Sequence, residues 1–219
     1  MPGQIPPQGV AMEPVFTVLP AGSLIWRCHA GHYGVGQFNS RTAHEHFKGS
    51  RFDSTEADPY PYLYAALDPV TALAEVLLRS VEFSGGKGTA ARQIPWGQAS
   101  RYLLSAVRTA VDVRLVDITS AEGLAAVWQD EWLVTSLEYA QTRYWVRLIR
   151  EHSASAQGLC WTSKRCMPRR ALQFFGDRCG EHLLAPTPEE CYRLGSPTDA
   201  KEINRMLSPL HAVISEPGI

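Results

Sequence analysis

Two features of this sequence are spaced so that they could do chemistry: a helix-borne carboxylate and two loose histidine pairs. Glu75 sits in LDPVTALAEVLLRS, one position away from a recurring apolar stripe. At about 100° per residue its carboxylate falls at the boundary between core and solvent, where a cleft can use it. His29 with His32, and His44 with His46, lie near Cys28 in the manner of metal ligands. A metal site needs three or four convergent ligands, and neither pair lies on a clearly helical segment, so surface or hydrogen-bonded histidines are expected and no metal. Cys28, Cys160, Cys166, Cys179 and Cys191 are odd in number, scattered and without a CxxC pair, which argues for reduced thiols over a disulfide framework or a zinc ribbon. The sequence has no GxGxxG after a strand, no GxxxxGK followed by Ser or Thr, no HExxH and no GxSxG. Dinucleotide-fold, P-loop, zincin and hydrolase-elbow chemistries therefore have no support.

The elements that must position these groups can be read in outline. SLIWRCHA, YLYAAL and the two apolar runs of RYLLSAVRTAVDVRLVDI read as strands. Around Glu75, Asp68 is a plausible N-cap and Pro69 suits the first helical position, with Val70, Leu73, Ala74 and Leu77 forming a buried stripe. A second helix is expected through TSLEYAQTRYWVRLIREH as scaffold, burying Leu137, Ala140, Tyr144, Trp145 and Leu148, with Arg147 and Arg150 near its C-terminal end, where cations are favoured. GLCWTS, ALQFFG and HLLAP are short extended pieces, and KEINRML closes the chain as a helix. Strands interrupted by a few helices, without regular βαβ alternation, predict an α+β fold.

The 219 residues, 45% of them apolar and 20% charged, suit a single globular domain with a sizeable core. Pro2, Pro6, Pro7, Pro14 and Pro20 mark residues 1–22 as an extended leader, so the domain is expected over 23–219, with a turn-rich, glycine-rich loop near 84–98. A net charge of −1 gives no overall field for nucleic acid or an anionic membrane and points to a small ligand, although local arginines can still bind phosphates. No run of roughly 18 apolar residues suggests a membrane span, and the N-terminus lacks the pattern of a secretory signal, so the expected location is the cytoplasm.

Four segments taken together carry a resemblance: IWRC around Arg27, SRFD around Arg51, YLYAALDPVTALAEVLLR from Tyr62 to Arg79, and QGLCWTSKR past Ser163. In order and composition they resemble the RES domain, named for its Arg, Glu and Ser, over roughly residues 23–180. The aromatic-rich strand followed by a helix bearing ALAE is the most specific part. Characterised members of that family include NAD+-degrading toxins of toxin–antitoxin pairs, and the implied fold is a single compact domain similar to the ADP-ribosyltransferase core.

By that resemblance Arg27, Glu75 and Ser163 are catalytic residues, Arg51 and Tyr64 bind substrate, and NAD+ is consumed as substrate with no separate cofactor. Arginine forks can grip a pyrophosphate through paired charge-assisted hydrogen bonds, and an aromatic face can stack on the cationic nicotinamide. Cleaving the nicotinamide–ribose bond builds positive charge on the sugar, which a carboxylate such as Glu75 can stabilise while holding ribose hydroxyls. Ser163, with no base signature near it, is expected as a hydrogen-bonding partner of the ligand. The acceptor is inorganic phosphate or water, with Arg51 or Lys164 to hold an anion, and an antitoxin protein is the implied macromolecular partner. Two alternatives stay open: ADP-ribosyl transfer to a macromolecule, and a non-catalytic nucleotide-binding or interaction module. Singly each residue has an ordinary role as an ion-paired Arg, a core Tyr, a solvated Glu or a turn Ser; only their joint order carries the functional reading.

Overall fold

The computed structural model describes residues 11–83 and 92–215. The first part of the chain gives β1 (Phe16–Leu19), β2 (Leu24–Ala30), β3 (Tyr62–Ala66), α1 (Pro69–Leu77), β4 (Arg92–Ile94), α2 (Trp96–Ala99) and β5 (Tyr102–Arg108). There follow β6 (Val113–Ile118), α3 (Ala121–Ala126), α4 (Trp132–Thr135), α5 (Tyr139–His152), β7 (Gly158–Thr162) and β8 (Arg170–Phe175). The last elements are α6 (Gly176–Cys179), β9 (Glu190–Arg193), α7 (Pro197–Leu207) and β10 (Ala212–Ile214).

Eight strands form one mixed sheet in the order β1-β6-β7-β8-β3-β2-β5-β9, antiparallel throughout except between β6 and β7, while β4 and β10 pair in parallel as a separate ribbon. The fold is α+β. Most neighbouring strands pair along their lengths; β2 runs seven residues against β5, from Leu24 opposite Arg108 to Ala30 opposite Tyr102. β2 and β3 meet only at Trp26 and Ala66 and then part. Opposite Tyr62 the place of β2 is taken by Asn39, which exchanges two backbone hydrogen bonds with it. The sheet is therefore open on one side of Trp26.

Helix α1 forms for the expected reasons. The Asp68 carboxylate accepts hydrogen bonds from the Thr71 amide at 3.0 Å and the Thr71 hydroxyl at 2.6 Å, and Pro69 starts the helix without losing a needed donor. Leu73, Ala74 and Leu77 are buried with Leu104, Ile203 and Leu207, whereas Glu75 stays half-buried at the edge.

Helix α5 differs from its expected face. It begins at Tyr139, Leu137 and Tyr144 are exposed, and the inward side carries Thr142, Arg143, Trp145, Val146, Ile149 and Arg150. Two arginines face inward because the terminal nitrogens of both guanidinium groups find acceptors there, so apolar periodicity alone does not mark the buried face. Trp145 and Ile149 pack with Ile118, Leu159 and Trp161.

The ends of the chain are more structured than their composition suggests. β1 lies inside the proline-rich segment and pairs with β6, from Phe16 opposite Val116 to Leu19 opposite Val113, so the sheet begins before residue 23. Pro14 and Pro20 bracket this strand at the sheet edge, where a missing donor costs little. Of the expected loop near 84–98, residues 84–91 lie outside the described residues, while 92–98 contain β4 and most of α2. HLLAP forms no strand, contributing a single bridge between Leu184 and Thr109. Helix α7 lies where KEINRML predicts it.

Arg150 ties α5 to two distant segments. Its guanidinium pairs with Asp58 at 2.8 Å and Asp177 at 2.9 Å and lies over the rings of Tyr60 and Phe175, at 3.7 and 4.5 Å from their centroids. Burial opposes its charge, and the two carboxylates outweigh that and raise its pKa. Replacing Arg150 by Ala leaves the buried rings uncovered and Asp58 unpaired. The expected loss is about 2–3 kcal/mol in urea unfolding, below the cost for fully enclosed pairs because Asp177 is partly exposed. An unchanged unfolding midpoint would contradict this role.

Candidate active site

Where β2 and β3 part, the gap becomes a cleft of about 420 Å³. Its walls are Arg27 to Ala30 of β2 and Tyr62, Tyr64 and Ala65 of β3, with Glu75, Val76 and Arg79 of α1 along one side. Residues of both parities line it because a splayed strand presents its edge as well as a face.

Arg27 is almost fully buried, and its Nη1 donates to the carbonyls of Gly34 at 3.0 Å and Val35 at 2.6 Å. It thus fixes the turn after β2 while lining the cleft. Burial lowers its pKa to about 10, which keeps it charged at neutral pH. Cys28 is a free thiol whose pKa burial pushes up, against the nearby Arg27 charge. His29 faces the Ser105 hydroxyl with Nε2 at 3.0 Å and the Ala30 carbonyl with Nδ1 at 3.3 Å. Burial, followed by the charge of Arg27, lowers its pKa to about 4. His44 and His46 lie on the loop between β2 and β3, and among the described residues no three His, Cys, Asp or Glu side chains converge as metal ligands.

That loop is held from behind by α5. Arg143, buried, donates to the carbonyls of His44, Glu45, Lys48 and Ser50, and the Thr142 hydroxyl donates to the Arg51 carbonyl at 2.6 Å. Gly49 makes the turn at φ 77°, where a Cβ would come within 2.8 Å of the Ala43 side chain. The loop thereby delivers Arg51, whose Nη1 donates to the Ser136 carbonyl at 2.6 Å and whose guanidinium lies 5.5 Å from the Tyr139 ring centroid. Burial lowers its pKa, with Tyr139 and Glu75 opposing. The Tyr64 hydroxyl donates to Asp53 at 3.0 Å and accepts from the Phe52 amide at 3.1 Å, so its ring is what the cleft receives. Burial, helped by the Asp53 charge, holds the Tyr64 phenol well above its usual pKa; burial also raises Asp53.

Glu75 and Ser163, 88 residues apart, meet directly: the Ser163 hydroxyl donates to Oε1 of Glu75 at 2.5 Å. Ser163 has no exposed surface and lies behind Glu75 outside the cleft lining, so it contacts the carboxylate where a ligand contact was expected. It also anchors the turn between β7 and β8, accepting the Arg165 amide on its hydroxyl at 3.2 Å and giving its own amide to the Arg169 carbonyl at 2.8 Å. Oε2 of Glu75 has no protein partner among the described residues.

The structure thus brings Arg27, Arg51, Tyr64 and Glu75 to one cleft and sets Ser163 one layer back. Lys164 is not part of the lining; its ammonium donates to the Thr135 carbonyl. Arg165, whose Nη1 donates to the Leu78 carbonyl at 3.1 Å, lines the cleft in its place. Arg79 does too, donating to the Ser50 hydroxyl at 2.8 Å. Sequence reasoning missed both, together with the rings of Tyr33, Tyr102, Tyr139 and Trp161. Arg79 was within reach, since it follows Glu75 by one helical turn. The aromatic rings come from four separate segments that carry no shared local signal. Four guanidinium groups around one carboxylate suit a ligand with several negative charges and one site of developing positive charge.

A family model for the RES domain matches residues 24–195. The crystal structure of the M. tuberculosis MbcT-MbcA toxin-antitoxin complex contains a chain similar in fold, with a TM-score of 0.54. The two chains are 14% identical, and the match covers 80% of this chain and 85% of that one. At that identity the likeness is one of fold alone. No curated protein matches the sequence.

His29 provides a test of how dry the β2 wall is. Its imidazole is expected to titrate in the folded protein near pH 4, well below the usual 6.5. Because the folded pKa is the lower one, the neutral ring's contribution is fully present above about pH 6.5 and is lost as pH falls toward 4. An NMR titration with a His29 midpoint near 6.5 would contradict the buried, Arg27-facing placement.

Proposed function

The chain belongs to the RES domain family, and from that premise we propose that it is an NAD+-consuming enzyme that breaks the nicotinamide–ribose bond. The observation that carries the proposal is Glu75. Among the described residues it is the one carboxylate lining a cleft that Arg27, Arg51, Arg79 and Arg165 also line. A dinucleotide with an anionic pyrophosphate and a cationic leaving group matches that charge pattern.

The chemistry follows from these positions. Arg27 and Arg51 hold the pyrophosphate, and the Tyr64 ring receives the nicotinamide. As the C1″–N bond lengthens, its electron pair passes to the nicotinamide nitrogen, and nicotinamide leaves neutral. Positive charge builds on the ribose against Glu75. Ser163 keeps Oε1 of Glu75 engaged, which aims Oε2 at the ribose. Inorganic phosphate then bonds to C1″, held by Arg79 and Arg165, and the product is ADP-ribose-1″-phosphate; when water attacks, the product is ADP-ribose. Ser163 acts through Glu75 and is a positioning residue.

We further read the chain as the toxin of a toxin–antitoxin pair, depleting NAD+ in the cytoplasm until an antitoxin protein restrains it. RES family membership and the fold shared with a chain of a toxin-antitoxin complex support that role.

Incubated with NAD+, the purified protein is expected to release nicotinamide, faster with phosphate than without, and to form ADP-ribose-1″-phosphate. Absence of nicotinamide release while NAD+ binds would leave a nucleotide-binding module, and ADP-ribose attached to a macromolecule would make the chain a transferase. Glu75→Gln is expected to lower kcat by about 10² to 10³. Ser163→Ala is expected to lower kcat by about tenfold or more with little change in KM, because it frees the carboxylate without touching substrate, and Ser163→Thr should recover part of the loss. A Ser163→Ala defect confined to KM would make Ser163 a substrate contact.

A further inference from the structure

Beside the cleft, and sharing Tyr62 with it, lies a second hollow of about 630 Å³. Its wall is the loop between β2 and β3, including Arg41, His44, Phe47 and Lys48. Asn39 and Ser50 line the cleft while Arg41 and Gly49 line the hollow, so the same two stretches of loop run from one space into the other.

The hollow's chemistry is specific. Phe47 is 66% exposed, an uncommon setting for a large apolar ring, and its centroid lies 5.0 Å from that of the His44 imidazole. The exposed part of the Phe47 ring offers a surface on which a flat heterocycle can stack. Arg41 and Lys48 add two cationic side chains. Lys48 holds a left-handed backbone, φ 56°, which a side chain with a Cβ adopts only at a cost. Arg143 holds its carbonyl at 2.9 Å and so maintains that conformation. An apolar ring left open and a strained lysine held in place both point to a ligand on this loop.

We propose that the hollow seats the adenosine 5′-phosphate half of NAD+. Adenine stacks on Phe47 beside His44, its ribose and the near edge of its phosphate face Arg41 and Lys48, and the pyrophosphate runs past Tyr62 onto Arg27 and Arg51 in the cleft, where the other half reacts. This assignment rests on the NAD+ reading, which it extends from the reacting bond to the rest of the substrate.

Nicotinamide mononucleotide carries the reactive bond without the adenosine half, so it separates the two spaces. The wild-type kcat/KM for NAD+ is expected to exceed that for the mononucleotide. In Phe47→Ala and in the Arg41→Ala/Lys48→Ala double variant that ratio should fall by about tenfold or more. Calorimetry with 5′-AMP should show binding to the wild type and a similar weakening in both variants. An unchanged ratio, equal use of both substrates by the wild type, or 5′-AMP binding indifferent to the variants would overturn the subsite. Failure of the wild type to release nicotinamide from either compound would instead sink NAD+ cleavage, and 5′-AMP affinity would then decide the subsite alone. Phe47, Arg41 and Lys48 lie on the rim of the fold, so the variants are expected to unfold at the wild-type midpoint.

Discussion

Strands β2 and β3 pair at one position, Trp26 with Ala66, and the candidate site depends on their parting beyond it. A continuous ladder would have closed the sheet and left Arg27 and Tyr64 pointing from an intact surface. Because the ladder stops, strand edges become walls, and the long connection between β2 and β3 is free to fold back beside them. The cost is backbone polarity exposed in the middle of a sheet, and it is offset locally. Asn39 exchanges two backbone hydrogen bonds with Tyr62, and β2 keeps a full ladder with β5 on its other side. Helix α1 then brings Glu75 over the gap, and the turn after β7 locks it there through Ser163.

Buried arginine does two jobs in this fold. Arg143 and Arg150 turn inward from α5 and bind carbonyls or carboxylates, fixing the loop behind the cleft and the segments around Asp58 and Asp177. Arg27 and Arg51 are anchored in the same way, through carbonyls, but keep their charge facing the cleft. A guanidinium suits both roles, since it can spend some donors on scaffold and leave others for a ligand. The outcome is a cationic cleft whose charges are held in place before any substrate arrives, which is the condition under which electrostatics accelerates a reaction most.

Much of the fold was legible in the sequence. The Asp68-Pro69 start, the α1 stripe and the boundary position of Glu75 follow from capping chemistry and helical period, and the structure has them where the residues predict. Family order brought Arg27, Arg51, Tyr64 and Glu75 into one expected site. What stayed hidden was three-dimensional. The inward arginines of α5 break the apolar pattern that marks a buried face, so the expected stripe was rotated toward Tyr144. Prolines at both ends of β1 read as an extended leader although an edge strand tolerates them. The contact between Ser163 and Glu75 stayed hidden because nothing in a linear sequence distinguishes a hydroxyl that faces a cleft from one that faces a carboxylate lining it.

In the proposed geometry NAD+ lies in the cleft with its nicotinamide ribose against Oε2 of Glu75. A crystal structure of the Glu75→Gln variant with NAD+ bound tests it most directly, since the slowed variant should retain intact substrate. The account predicts ribose hydroxyls within hydrogen-bond distance of residue 75, the pyrophosphate on Arg27 and Arg51, and the Ser163 hydroxyl still bonded to residue 75. NAD+ bound elsewhere on the molecule, or bound in the cleft with its ribose turned away from residue 75, would contradict it.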